Sequence, residues 1–281
     1  MKSGLIYAAV IQSLCITTFC IAQTVNVPRS STKQAIEQEL GLGKITLTYS
    51  RPNIKGRNIF GGLVPYGAVW RLGANSATII KFSDDVMLEG NKVPAGEYGL
   101  FAIPALEEWT IILSKNARQW GSYFYKAEDD FLRLQVKPIH QSVLVETMTF
   151  WFGNVDKTKC ELEMRWENTG FILQIATDVD ARIMADINQV MNNDNKPYFT
   201  AAVYYYENNK DLKMALEWIT AAENSDPKSP GYKVWKARIL LKMGRKAEAL
   251  TTAQEGARLA HAENNKEYEY LNQVVVDQAK N

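Results

Sequence analysis

The stretch "KITLTYS", Lys44–Ser50, sets Ile45, Leu47 and Tyr49 against Thr46 and Thr48. A two-residue period is the signature of a strand with one buried and one solvated face. Runs of the same kind recur downstream: "ATIIKFS" (77–83), "DVMLEG" (85–90), "EYGLFAIP" (97–104), "WTIILSK" (109–115), "FLRLQVKP" (131–138), "LVETMTFWF" (144–152), "CELEMRW" (160–166) and "GFILQIAT" (170–177). Turn residues separate them, with "EGNK" after Leu88, "PAGE" at Pro94 and "WENTG" before Phe171. Gly90-Asn91 is expected to form a tight hairpin turn, since both residues tolerate positive φ. About nine short strands with no long helix between them imply an antiparallel β-sandwich or barrel.

The pattern changes near Asp180. "DARIMADINQVMNND" carries Ile183, Met184, Ile187, Val190 and Met191 at helical spacing, with Asp180 placed to cap the start. Beyond it, Ala215 aligns with Ala249, Leu216 with Leu250 and Lys210 with Gly244, each pair 34 residues apart. That interval is the tetratricopeptide period. Ala215, Ala222, Ala237 and Ala249 are small enough to let antiparallel helices approach closely, and Pro227 stops the second helix. Lys266–Ala279 reads as a terminal capping helix. The expected fold class is therefore an α+β two-domain chain, with the β-sandwich or barrel followed by a tetratricopeptide-like α-helical hairpin domain. The expected boundaries are 23–178 and 179–281.

Between the first two strands lies "YSRPNIKGRNIFGGLVPYGAVWRLGANSAT", Tyr49–Thr78. Glycines permit tight turns and close approach, and arginines supply planar forks for carboxylates or other anions. Arg51, Lys55, Arg57 and Arg71 are candidates for a cationic recess, with Asn75 as a neutral hydrogen-bonding group and Tyr66 and Trp70 as aromatic walls. In the architectural alternative the same arginines satisfy loop carbonyls and pair with Asp84, Asp85 or Glu97.

The phrases "YSRPNIKGR", "IFGGLVPYGAVWRLGAN" and "PAGEYGLF", and the "IP" and "EWT" that follow, resemble the bacterial family catalogued as domain of unknown function 2911, over most of residues 40–175. The resemblance implies an exported protein of Bacteroidota, often with helical repeats after the domain, and no assigned activity. Where the family motif reads Trp-Arg-Thr-Gly-Ala-Asn-Glu, this chain has Leu72 and Ser76, so a mechanism needing a carboxylate at position 76 is not supported here.

Residues 1–22 read as a secretory signal peptide: Lys2, then the apolar run Leu5–Ile21, then small residues before Gln23. Export to the periplasm or the medium follows as the expectation, with no stable membrane insertion after cleavage. Of three cysteines, Cys15 and Cys20 leave with that segment, and Cys160 is expected to be a buried thiol. The 32 basic and 31 acidic residues balance, and neither half has the cationic excess of a nucleic-acid binder.

Two histidines, His140 and His261, lie in different regions and lack metal spacing, so no cofactor or metal is expected. The acidic doublets Asp84-Asp85, Glu107-Glu108 and Asp129-Asp130 would point to opposite faces of a strand. Trp120, Tyr123, Phe124 and Tyr125 are candidates for an exposed aromatic shelf, whereas Trp109 alternates with Ile111 and Leu113 and reads as core. The expected function is non-catalytic binding, with an anionic or carbohydrate ligand on the β domain and a peptide or protein partner on the helical repeats. The alternative is an envelope carbohydrate hydrolase in which Arg71 orients substrate and Asp84 or Glu97 is the general acid.

Overall fold

A computed structural model describes residues 27–281. The expected leader, 1–22, lies outside the described residues. The chain divides into two compact units, one ending at Thr177 and the other spanning Asp178–Asn281.

The first unit contains ten strands among the described residues: β1 (Thr32–Leu40), β2 (Gly43–Arg51), β3 (Thr78–Phe82), β4 (Val86–Leu88), β5 (Asn91–Val93), β6 (Gly96–Ile103), β7 (Trp109–Ser114), β8 (Asp130–Val136), β9 (Ile139–Gly153) and β10 (Lys159–Ala176). They form two antiparallel sheets, in the orders β1-β2-β3-β6-β7-β8 and β5-β4-β10-β9. Both sheets are open, with β1 and β8 at the edges of one and β5 and β9 at the edges of the other, so the barrel alternative is not the architecture. One core joins their inner faces. Tyr49 meets Phe150 edge-on at 4.9 Å, Trp109 meets Phe171 at 5.8 Å, and Ile45, Leu47 and Tyr49 are all at most 2% exposed. The alternation in β2 thus does what its sequence implies, burying one face against the second sheet.

Three local expectations are corrected. "WENTG" is not a turn: β10 runs unbroken from Lys159 to Ala176, and register shifts around Glu167, at φ 57°, absorb the irregularity. Such bulges let a long strand bend without ending. The β4–β5 hairpin turns on Glu89 and Gly90 (φ 47° and 75°), one residue before the expected pair, because Leu88 pairs directly with Asn91. An additional strand, β1, precedes the expected start of the sheet. It is mostly exposed and buries fully only Leu40, so no strong alternation announces it.

The second unit holds six helices among the described residues: α1 (Asp180–Val190), α2 (Tyr198–Glu207), α3 (Leu212–Ser225), α4 (Pro230–Lys242), α5 (Lys246–Ala262) and α6 (Lys266–Lys280). Caps explain several of the starts. Asp211 accepts from the N–H groups of Lys213 and Met214, Ser229 from that of Tyr232, and Asn265 from that of Tyr268. Asp180 does not cap α1. Its carboxylate instead accepts from Tyr204 Oη and Lys210 Nζ, both at 2.7 Å.

Ala215, Ala237 and Ala249 are fully buried where helices meet. The equivalence of Lys210 with Gly244 fails by one position, because the left-handed residue of the first turn is Asn209 (φ 54°) and that of the second is Gly244 (φ 79°).

Candidate functional site

From Arg51 to Ile54 the chain leaves β2 and runs beside β9. Met148 N–H donates to Pro52 O at 2.9 Å, Ile54 N–H to Glu146 O at 2.9 Å, and Thr147 Oγ1 to Asn53 Oδ1 at 2.6 Å. Arg51 completes this seam, donating from Nε to Met148 O (3.0 Å) and from Nη2 to Thr149 Oγ1 (2.6 Å). Arg57 folds back on its own loop, donating to Ile54 O (2.9 Å) and Asn53 O (2.5 Å). Lys55 is exposed at φ 48°, and its backbone N–H donates to Glu146 Oε1.

Tyr66 is 43% exposed and its ring covers Gly61, where a Cβ would come within 2.7 Å of it. Trp70 is not a ligand wall. It is 6% exposed, stacks on Trp166 at 5.8 Å, and meets Phe60 and Trp109 edge-on. Period-2 bookkeeping fails there because Trp70 lies in irregular chain, held inward by backbone hydrogen bonds with Ala102 in both directions.

Arg71 is half-buried, and burial lowers its pKa from the ordinary value, with the Tyr123 phenol opposing that shift. Its Nε has no hydrogen-bond partner. Asn75 (φ 59°) donates to Ser31 O and accepts from Gly121 N–H. The seven expected site residues therefore do not converge on one recess. Of the acids in the architectural alternative, Asp85 meets Lys92 (3.2 Å) and Glu97 meets Arg118 (2.7 Å) rather than an arginine of the motif. Arg57 satisfies loop carbonyls, as that alternative expected, and Arg51 is held by Met148 O and the Thr149 hydroxyl of β9. The hydrogen bond from Arg118 lowers the Glu97 pKa, the direction opposite to that of a general acid.

A recess does form nearby, on the outer face of the six-stranded sheet. Alternation directs Thr48 and Ser50 of β2 outward, and Lys33 of β1 pairs in register with Ser50. Segment 115–121 is laid along Asn75–Ala77. Ala77 N–H donates to Gln119 O, Gly121 N–H donates to Asn75 O, and Ser76 pairs with Trp120 as an isolated bridge. Beneath it a small second core of Ala77, Phe101 and Ile112, with Tyr125 against it, holds the segment in place. Burial, then the hydrogen bond to Asp130, pushes the Tyr125 phenol up to about 12, so Tyr125 is a pin and not part of an open shelf.

The space enclosed is about 450 Å3. Arg29, Lys33 and Arg118 stand around it, Thr48, Ser50 and Ser76 bring hydroxyls, and Trp120, 54% exposed, forms one wall. No carboxylate side chain among the described residues lines it. Tyr123 (79% exposed) and Phe124 (66%) continue the aromatic surface beyond Trp120. Sequence reasoning singled out Trp120 but missed Arg29 and Lys33. They sit in a polar segment with no turn or strand signal, and only the β1–β2 register brings Lys33 beside Ser50.

The model of the family described as "Protein of unknown function (DUF2911)" matches residues 31–175. The chain belongs to this family. No curated protein and no solved structure matched it. The DUF2911 region takes in both sheets almost entirely, together with Lys33, Arg118 and Trp120 of the recess, whereas Arg29 falls just outside it. Within it, Leu72 is fully buried at φ 49°, so the side chain at this departure from the family motif is a core contact. Ser76, the other departure, is exposed at the recess.

In the helical unit, two adjoining hollows of about 500 and 670 Å3 share Leu216, Thr220 and Arg245. They form a shallow trough along α3 with α4 and α5 on its far side. Apolar Leu216, Leu240 and Met243 alternate there with charged Lys213, Glu217 and Lys236.

Proposed function

We propose that this DUF2911 protein is an exported, non-catalytic binding protein. Its β unit holds a small anionic or carbohydrate ligand in the outer-face recess, and its helical unit receives a peptide or protein partner. The observation that carries the proposal is the lining of the recess: three cations, no carboxylate, several hydroxyls and an exposed indole around a volume typical of small-molecule sites. Arg118 is paired with Glu97, but Arg29 and Lys33 are not paired with a carboxylate among the described residues and attract anions, and an open aromatic face beside hydroxyls suits a sugar ring.

The 34-residue interval between buried Ala215 and Ala249 supports tetratricopeptide-like hairpins, and the trough beside α3 supports a partner surface. Export rests on the leader-like pattern of residues 1–22. Cell fractionation with N-terminal sequencing checks it, since the mature chain should begin at Gln23.

The test of binding is a thermal-shift screen of the chain from Gln23 against anions, nucleotides and glycans, beside Trp120→Ala. A ligand that binds the native state raises the melting temperature by mass action. A hit lost in Trp120→Ala supports the recess. Hits unaffected by that substitution and by charge removal at Lys33 would place binding elsewhere.

A further inference from the structure

We infer that the ligand of the outer-face recess is an acidic sugar, a pyranose carrying a carboxylate or a phosphate; this rests on the recess being the binding site. Arg118 is held by both oxygens of Glu97, at 2.7 and 3.2 Å, so its charge is already answered. Arg29 and Lys33 are both exposed and neither meets a carboxylate among the described residues. The free positive charge therefore lies on the β1 side, and an anionic group belongs there. Opposite it, Trp120 offers an indole face that a simple anion would leave in water.

The polar groups between those walls ask for a ligand that donates as well as accepts. Thr48, Ser50 and Ser76 line the recess with hydroxyls, each able to donate or accept. A fully ionised small anion can accept from them but has no hydrogen to give, whereas sugar hydroxyls do both. A pyranose has the required three-part character. Its C–H face covers an indole, its hydroxyl edge faces the sheet, and an acidic substituent reaches Arg29 and Lys33. A neutral hexose would leave two cations unanswered.

Isothermal titration of the full mature chain with glucuronate, glucose 6-phosphate, glucose, acetate and inorganic phosphate tests this. Glucuronate or glucose 6-phosphate, or both, should bind at least about tenfold more tightly than glucose and than the corresponding simple anion. The preferred one of the two assigns the acid. Trp120→Ala and the pair Arg29→Gln with Lys33→Gln should each weaken that ligand about tenfold, while Trp120→Phe retains most of the affinity. All three positions are exposed enough for the variants to fold, which circular dichroism verifies. Glucose binding as tightly as its acidic counterparts, or acetate and phosphate doing so, overturns the acidic-sugar inference while leaving the recess a site. Absence of binding by every sugar and anion overturns both.

Discussion

Trp70 reads from the sequence as a wall of the cationic recess and Trp120 as part of an exposed aromatic shelf, and the structure separates them in a way that two substitutions can measure. Trp70 is 6% exposed and contacts Phe60, Trp109 and Trp166, three of the largest side chains of the core. Removing a buried indole forfeits its transfer free energy and leaves a cavity, about 3–5 kcal/mol together. Its Nε1–H also donates to Gly73 O at 3.2 Å, leaving that carbonyl in need of a partner. For a unit of this size, each kcal/mol moves the midpoint by about 2–4 °C, so Trp70→Ala should lower the β unit's transition by roughly 6–20 °C. Trp120→Ala, in contrast, deletes a half-exposed side chain and should stay within about 0.5 kcal/mol of the parent. Differential scanning calorimetry of the parent and the two variants gives the comparison. A Trp70→Ala midpoint within 2 or 3 °C of the parent (under about 1 kcal/mol) would refute the placement of Trp70 in the core.

Three further outcomes follow from close contacts and from charge. A Cβ added at Gly170 would lie 1.9 Å from Met164 O, a backbone atom inside the β10 irregularity, so Gly170→Ala should destabilise the β unit by at least about 1–3 kcal/mol in urea unfolding. At the α5–α6 contact, a Cβ on Gly256 would come 2.1 Å from Asn272 Oδ1, and Asn272 is fully buried. Gly256→Ala should therefore be costly alone and much less so in an Asn272→Ala background, with a coupling of about 1–3 kcal/mol in the double-mutant cycle. Additive losses would contradict that contact.

Glu223 sits between Lys233 (2.6 Å) and Lys236 (2.5 Å). Burial pushes its pKa up, but hydrogen bonds and charge from the two lysines prevail and leave it below the ordinary 4.5. A depressed carboxyl contributes stability that is present above its unfolded pKa and lost as pH falls through the folded value. The helical unit should thus lose stability as pH falls below about 4.5, and Glu223→Gln should flatten that slope while lowering stability at neutral pH.

The strands that could be read in the sequence are those whose two faces meet different environments. β2 and the first half of β10 bury one side and leave the other partly wet, so alternation marks them, while β7 is marked by a short apolar run because both its faces are covered. β1 is exposed on one face and only half-covered on the other until Leu40, and the sequence "TKQAIEQEL" carries helix formers as readily as strand formers. Its strand identity comes from the ladder with β2, a nonlocal cause that no window of sequence contains. β10 misleads for the opposite reason. Asn168, Thr169 and Gly170 have turn composition, yet pairing with β9 up to Gly170 and with β4 at Ile175 and Ala176 keeps the strand going. The recess was half visible: Trp120 beside Gly121 and Ser122 suggested exposure, but Lys33 and Arg29 become neighbours of Trp120 only through the sheet and through segment 115–121.

Why, then, does one segment hold so many cations and glycines? Between Arg51 and Thr78 the chain leaves one sheet, runs beside the other and returns without regular structure to satisfy its carbonyls. Arginine answers that need because its planar fork reaches two acceptors at once, as Arg51 does across Met148 and Thr149 and Arg57 does on Asn53 and Ile54. Glycine answers the tight turns at Gly56, Gly61 and Gly67, all at φ between 70° and 84°. Arg51 and Arg57 are thus committed to the scaffold, and the cations around the recess are others. That division has a consequence for the family. The residues that seam the two sheets are separate from those that rim the recess, and Arg29 lies outside the region the family model matches. Charge at the rim can therefore change without disturbing the seam, so Arg29→Gln and Lys33→Gln should alter ligand preference at constant stability, whereas Arg51→Ala should lower stability whatever the ligand.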